Sequence, residues 1–173
     1  MNQTGNGLVP AGDGWFVVNL ADTPAMRHED FGSGIIFEPE PGHFPHFGIN
    51  VRWLEPGQPA SLYHAESAQE AFVVLLGEAT LVVEEAERPV KQWDFIHMPP
   101  GVAHVLVGAG DRPCAVLMVG ARRGAEHTIE FPQNDVAARY DASAPEGATT
   151  REEAYAGRGG LEPRGSFWPP QDL

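Results

Sequence analysis

The sequence predicts an all-β fold, one domain built as a sandwich or a closed barrel. Three observations carry that reading. Glycine (20) and proline (16) fill about a fifth of the 173 residues, a composition of short strands and turns rather than helices. Ten short segments are rich in β-branched and aromatic residues. Turn residues separate them at regular spacing. The chain is 42% apolar, which excludes a disordered polymer, and its length suits a single domain.

The strand segments run in order over 15–20, 35–38, 47–54, 61–66, 70–76, 79–84, 89–92, 94–98, 104–107 and 114–119. Turns fall at Pro56-Gly57, Gly77-Glu78, Glu85-Ala86-Glu87, Pro99-Pro100-Gly101 and 108–113. Residues 71–76 are apolar without alternation, so that strand is covered on both faces. One face points into the barrel. The other needs a second sheet, the N-terminal strands or a partner subunit. Residues 1–138 form the barrel with its N-terminal strands. Residues 139–173 form a C-terminal tail rich in Ala, Gly, Pro, Arg and Glu. Within the tail, Thr150 and Glu153 have the spacing of a capping box, which predicts a short helix ending near Gly157. Phe167 and Trp168 are expected to pack on the body or on a neighbour.

A formal charge of −13 argues against a nucleic-acid partner, because phosphate is met by clustered Lys and Arg. The longest apolar runs, 71–76 and 114–119, are far short of the roughly 20 residues of a membrane span. Residues 1–14 have neither a basic start nor an apolar stretch, so no signal peptide is read. The single cysteine, Cys114, allows no intrachain disulfide and suits a reducing compartment. A cytoplasmic protein is expected.

The chemistry concentrates between Pro56 and Gly108. His64 and Glu66 are two apart, so on a strand they share a face. Ser67-Ala68-Gln69 form a tight connection, and Glu70 opens the next strand. His104 follows the rigid Pro99-Pro100-Gly101 turn. In a closed barrel these four side chains can converge. Two imidazoles and two carboxylates are ligands for a divalent first-row metal. Two carboxylates facing an apolar interior also raise each other's pKa unless a cation neutralises them. Tyr63 points the opposite way to His64. His43 and His46 read as loop histidines, and Cys114 as buried core.

This spacing resembles the two motifs of the cupin superfamily, over about residues 47–120. Gly57, His64-Ala65-Glu66, Glu70 and Gly77 stand where the first motif has glycine, His-x-His, glutamate and glycine. Pro99-Pro100-Gly101 and His104 fit the second. The chain departs from the pattern in four places. Gly57 lies one residue further from His64. Glu66 replaces the second histidine. Trp93 and Gly108 replace the glycine and asparagine that frame motif two. The resemblance implies a double-stranded β-helix, or jelly-roll barrel, holding Fe, Mn, Ni, Co or Zn. Glu66 then completes a His₂Glu₂ site, or swings away and leaves His64, Glu70 and His104, or the metal is lost with the fold retained.

Phe72, Val74 and Leu76 are expected in the apolar interior. If Phe95 and His97 also face the cavity, Phe95 lines it and His97 is an acid/base or substrate contact. Otherwise His97 is an outer-face or core histidine. The function implied is a metal-dependent dioxygenase, isomerase or lyase acting on a small organic substrate. The alternatives are a non-catalytic ligand-binding or sensor module, and a metal-free barrel of the sugar-nucleotide epimerase type. Small cupins commonly pair through their sheets, so a homodimer is expected.

Overall fold

A computed structural model describes residues 1–12, 14–38 and 43–166. Fourteen strands appear in chain order: β1 (Asn2–Thr4), β2 (Gly7–Val9), β3 (Ala25–His28), β4 (Gly32–Ile36), β5 (Phe47–Leu54), β6 (Ala65–Glu66), β7 (Glu70–Leu76), β8 (Glu78–Val83), β9 (Ala86–Lys91), β10 (Phe95–Met98), β11 (His104–Ala109), β12 (Cys114–Ala121), β13 (Ile129–Glu130) and β14 (Glu162–Arg164). Two one-turn helices follow the barrel strands, α1 (Asp135–Ala138) and α2 (Arg151–Ala154). Among the described residues no helix is long and apolar enough to cross a membrane.

A seven-stranded sheet runs β10-β7-β12-β5-β4-β3-β14 and faces a three-stranded sheet, β11-β8-β9. Every pairing is antiparallel. Alternation along the strands builds the interior between the sheets. Leu54, Phe72, Leu81, Ile96, Met98, Leu106 and Val116 meet there in one buried cluster. Strand β11 is apolar on both faces. Leu106 points inward, while Val105 and Val107 pack outward against Val136 and Ala137 of α1. On the outer face of the large sheet, Val51, Ile35, Ala25 and Ala115 form another cluster, with Leu20, Leu75 and Leu76 packed against it. Leu20, from the 3₁₀ turn before β3, thus packs on part of the outer face of the sheet that holds the apolar run 71–76. Leu76 lies in this outer layer rather than in the interior with Phe72 and Val74.

Several local expectations change. Residues 15–20 form no strand: Trp15 and Val17 stand 93% and 84% exposed, without a sheet edge to join. The segment ends in a 3₁₀ turn, where the Asn19 side chain accepts from the Ala21 amide at 2.9 Å. Of 61–66 only Ala65 and Glu66 are strand. The rest is bent, because its backbone serves different neighbours: Ala60 N–H donates to Leu106, Tyr63 N–H to Ala142, and His64 pairs with His104. The capping box does form at Thr150 and Glu153 and starts α2. Phe167 and Trp168 lie outside the described residues.

Candidate metal centre

Two connections bring the chemistry together. His64 and His104 form an antiparallel bridge, each amide donating to the other's carbonyl at 3.1 and 2.9 Å. The Gly101 amide of the diproline turn donates to the Glu66 carbonyl at 2.8 Å. This locks the two distant motifs side by side. Gly101 takes a left-handed conformation (φ 82°), which glycine adopts without strain.

Three ligand atoms of His64, Glu70 and His104 then lie within 4.8 Å of one another, and this trio can hold a metal ion. His104 Nε2 stands 3.3 Å from Glu70 Oε2. Both imidazoles are oriented from behind. His64 Nδ1 lies 2.7 Å from the Leu62 carbonyl and His104 Nδ1 2.9 Å from the Val102 carbonyl. A carbonyl only accepts, so Nδ1 carries the proton and Nε2 presents its lone pair to the centre. Metal–ligand bonds of about 2.0–2.2 Å separate neighbouring ligand atoms by about 3 Å, so the trio suits a first-row cation after a slight closing. Burial shifts the same groups. His64 is lowered to about 4, by desolvation and then by His104. His104 is lowered by desolvation. Glu70 is raised to about 8, by desolvation and then by Glu66.

The trio opens into a cavity of about 570 Å³, whose wall includes Phe31, Asn50, Arg52, Glu66, Phe72, Met118, His127, Phe131, Arg151 and Tyr155. The Phe72 ring packs 5.4 Å from the His104 ring, centroid to centroid.

A family model described as a cupin domain matches residues 51–120, which hold the trio and both motifs. A solved sugar phosphate isomerase of the cupin superfamily from Silicibacter pomeroyi is 26% identical, with a TM-score of 0.52 over 68% of this chain. Residues 51–120 are a cupin domain. A candidate sugar phosphate isomerase from Acidithiobacillus ferrooxidans is 30% identical over 50% of this chain, at a TM-score of 0.47. The match spans 56% of that chain and 74% of the Silicibacter one. A polyketide cyclase from Streptomyces resistomycificus shares the barrel at 18% identity, with a TM-score of 0.57 over 69% of this chain and 87% of that one. No curated protein matches.

At three residues the cupin takes one of the alternatives that its sequence left open. Glu66 lines the cavity but stands outside the trio. Its Oε1 is 3.8 Å from His64 Nε2, and its Oε2 is 3.2 Å from His127 Nε2. The cause is β13, which pairs with β6 and sets Ile129 opposite Glu66. Ser67 fixes the approach: its amide donates to the Thr128 carbonyl and its hydroxyl accepts from the Thr128 amide. Glu66 is raised by desolvation, against which His127 and then Arg151 act. Phe95 and His97 do not face the cavity. Ile96 and Met98 take the inner face of β10, so strand alternation turns Phe95 and His97 outward to solvent.

Among the cavity residues that went unread in the sequence, four are His127, Arg52, Arg151 and Tyr155. His127 follows the barrel in a loop, and nothing local marks it. Arg52 had a readable signal, since Gly48, Asn50 and Arg52 share the inner face of β5 with Leu54. Arg151 and Tyr155 are four apart across α2. The helix is anchored by Ala154, buried with Phe31, Leu62 and Phe131, and by the Tyr155 hydroxyl, which accepts from the Leu62 amide at 3.2 Å.

Proposed function

We propose that this cupin is a divalent-metal-dependent enzyme of the isomerase or lyase type, acting on a small organic molecule in the barrel cavity. One observation carries the reading: two imidazole lone pairs and a carboxylate, His104 buried and His64 and Glu70 half-buried, converge on one point. Such a set is stable when a cation neutralises it. Fe, Mn, Ni, Co or Zn suits these donors, and when bound supplies a Lewis acid for a substrate oxygen. The chain itself supplies the proton-moving group. Glu66 is held in the cavity wall by His127, beside the trio. The Silicibacter neighbour, named as a sugar phosphate isomerase, supports this class of chemistry.

Elemental analysis of natively purified protein tests the centre. His64→Ala and His104→Ala are expected to abolish bound metal. Metal content unchanged in both variants would sink the reading. Incubation of the metal-loaded protein with a panel of sugar phosphates, followed by NMR, separates an enzyme from a binding module. A module shows ligand-induced thermal stabilisation without turnover.

We further propose that the chain works as a homodimer paired through the edge strand β10, on the strength of two exposed aromatics there, Trp93 and Phe95.

A further inference from the structure

The cavity contains two guanidinium groups whose countercharge the fold does not provide. Elsewhere four arginines are paired, while Arg27, Arg88 and Arg112 stand exposed to solvent. Arg122 meets both oxygens of Glu38 at 2.9 Å, Arg158 meets Asp141 at 2.6 Å, and Arg139 and Arg123 reach Glu87 and Glu126. Arg52 and Arg151 line the cavity and, among the described residues, make no hydrogen bond or ion pair.

Their placement is specific. Arg52 sits on the inner face of β5, opposite Gly34 of β4 and Val116 of β12. Gly34 leaves the space that the guanidinium uses, since a Cβ there would touch Nη1 at 3.4 Å. Arg151 projects from α2 with its guanidinium 5.3 Å from the Tyr155 ring centroid. Arg151 lines the same cavity as His64, Glu66 and Arg52. Burial opposes the charge on Arg52, and Arg151 adds to that opposition. The cavity's carboxylates, Glu66 and Glu70, are both engaged with histidines. A dication at the trio offsets those two carboxylates, so the pair of arginines leaves the cavity positive inside a chain of formal charge −13. A half-buried arginine beside an exposed one, neither with an ion-pair partner, is what a planar or tetrahedral oxyanion fills, because the guanidinium fork matches both geometries.

We propose that Arg52 and Arg151 form an oxyanion subsite, so that the molecule bound here carries a carboxylate or a phosphate group. The assignment of that molecule as substrate rests on the metal-centre reading, with the anion on the arginines and another part of the molecule at the trio.

Isothermal titration of the metal-loaded full chain, at constant ionic strength, with inorganic phosphate and separately with succinate tests the subsite and tells the two anions apart. One equivalent of at least one of them is expected to bind. Arg151→Gln and Arg52→Gln are each expected to weaken it by about tenfold or more, with metal content unchanged. Arg151 lies on an exposed helix, so its variant keeps the fold even if Arg52→Gln lowers the thermal midpoint. Arg52→Lys retains the charge and part of the affinity. His104→Ala protein, stripped of metal, is expected to keep measurable anion binding, which places the anion on the arginines. Failure of both anions to bind the metal-loaded protein overturns the subsite and leaves the metal reading intact. Equal binding by wild type and both glutamine variants overturns it too, since the anion then sits elsewhere. Anion binding lost with the arginines in a chain that holds no metal upholds the subsite and removes the metal reading.

Discussion

Glu70 Oε2 and His104 Nε2 face each other at 3.3 Å as two acceptors, so a proton or a cation stands between them. With Glu70 raised to about 8, the proton prevails at neutral pH in the metal-free protein. Metal uptake at pH 7 is therefore expected to release about one proton. Calorimetry in buffers of different ionisation enthalpy reads this, and Glu70→Gln removes the release. Stability follows from the same shifts. Glu70 holds its proton more tightly folded than unfolded, so its contribution is complete below its ordinary value of 4.5 and is lost as pH rises through about 8. His64 runs the other way: its contribution is complete above 6.5 and is lost as pH falls through about 4. The two oppose each other between 4.5 and 6.5. Above 6.5 Glu70 dominates, and the metal-free protein is expected to lose thermal midpoint up to about pH 8. A flat midpoint over that window, unchanged by Glu70→Gln, contradicts the buried carboxyl. At this scale the sequence was informative where spacing constrains geometry: His64, Glu70 and His104 are fixed by turn and parity. Glu66 stayed open between ligand and bystander because its partner, His127, arrives from 61 residues further along the chain through β13.

At the scale of elements, the barrel strands were readable because each carries its own residue signature and its own turn. Strands β5 and β7 begin and end where β-rich composition and flanking turns put them. Strands β3 and β14 were invisible, since Ala-Met-Arg-His and Glu-Pro-Arg have no apolar period and lie at the sheet's far edge. The reverse error, a strand over 15–20, has the composition but lacks a neighbour. Gly108 shows how a motif departure becomes physical. In the asparagine's place, it lies so close to the chain before the first motif that a Cβ would overlap the Glu55 carbonyl. Its amide donates to Gln58 at 2.9 Å, and its carbonyl accepts from Gly57 at 2.7 Å. Gly108→Ala is expected to destabilise the fold by about 1–3 kcal/mol, as forced overpacking does, read as a lower denaturant midpoint. A variant as stable as wild type shows that the β11 backbone can withdraw.

Over the whole molecule, the seven-stranded sheet ends on β10, which among the described residues pairs on one side only, with β7. Trp93 leads into it with φ at 74°, where the cupin pattern has glycine. A left-handed conformation costs a bulky residue about 1–2 kcal/mol, and at 72% exposure Trp93 recovers little of that by packing within its own chain. Phe95, two residues on, is 66% exposed. An open strand edge flanked by two bare aromatics favours association, and a second copy brings the same edge in an isologous pair. Sedimentation velocity is expected to show a dimer at micromolar concentration. Trp93→Gly relieves the backbone and removes the aromatic. It should therefore raise the stability of the isolated monomer by about 1 kcal/mol while weakening the dimer. Those opposite signs distinguish an interface residue from a merely structural one, which would lower both. A monomer at micromolar concentration, or a Trp93→Gly protein that dimerises as tightly as wild type, rejects β10 as the contact and leaves the strained tryptophan to be explained within one chain.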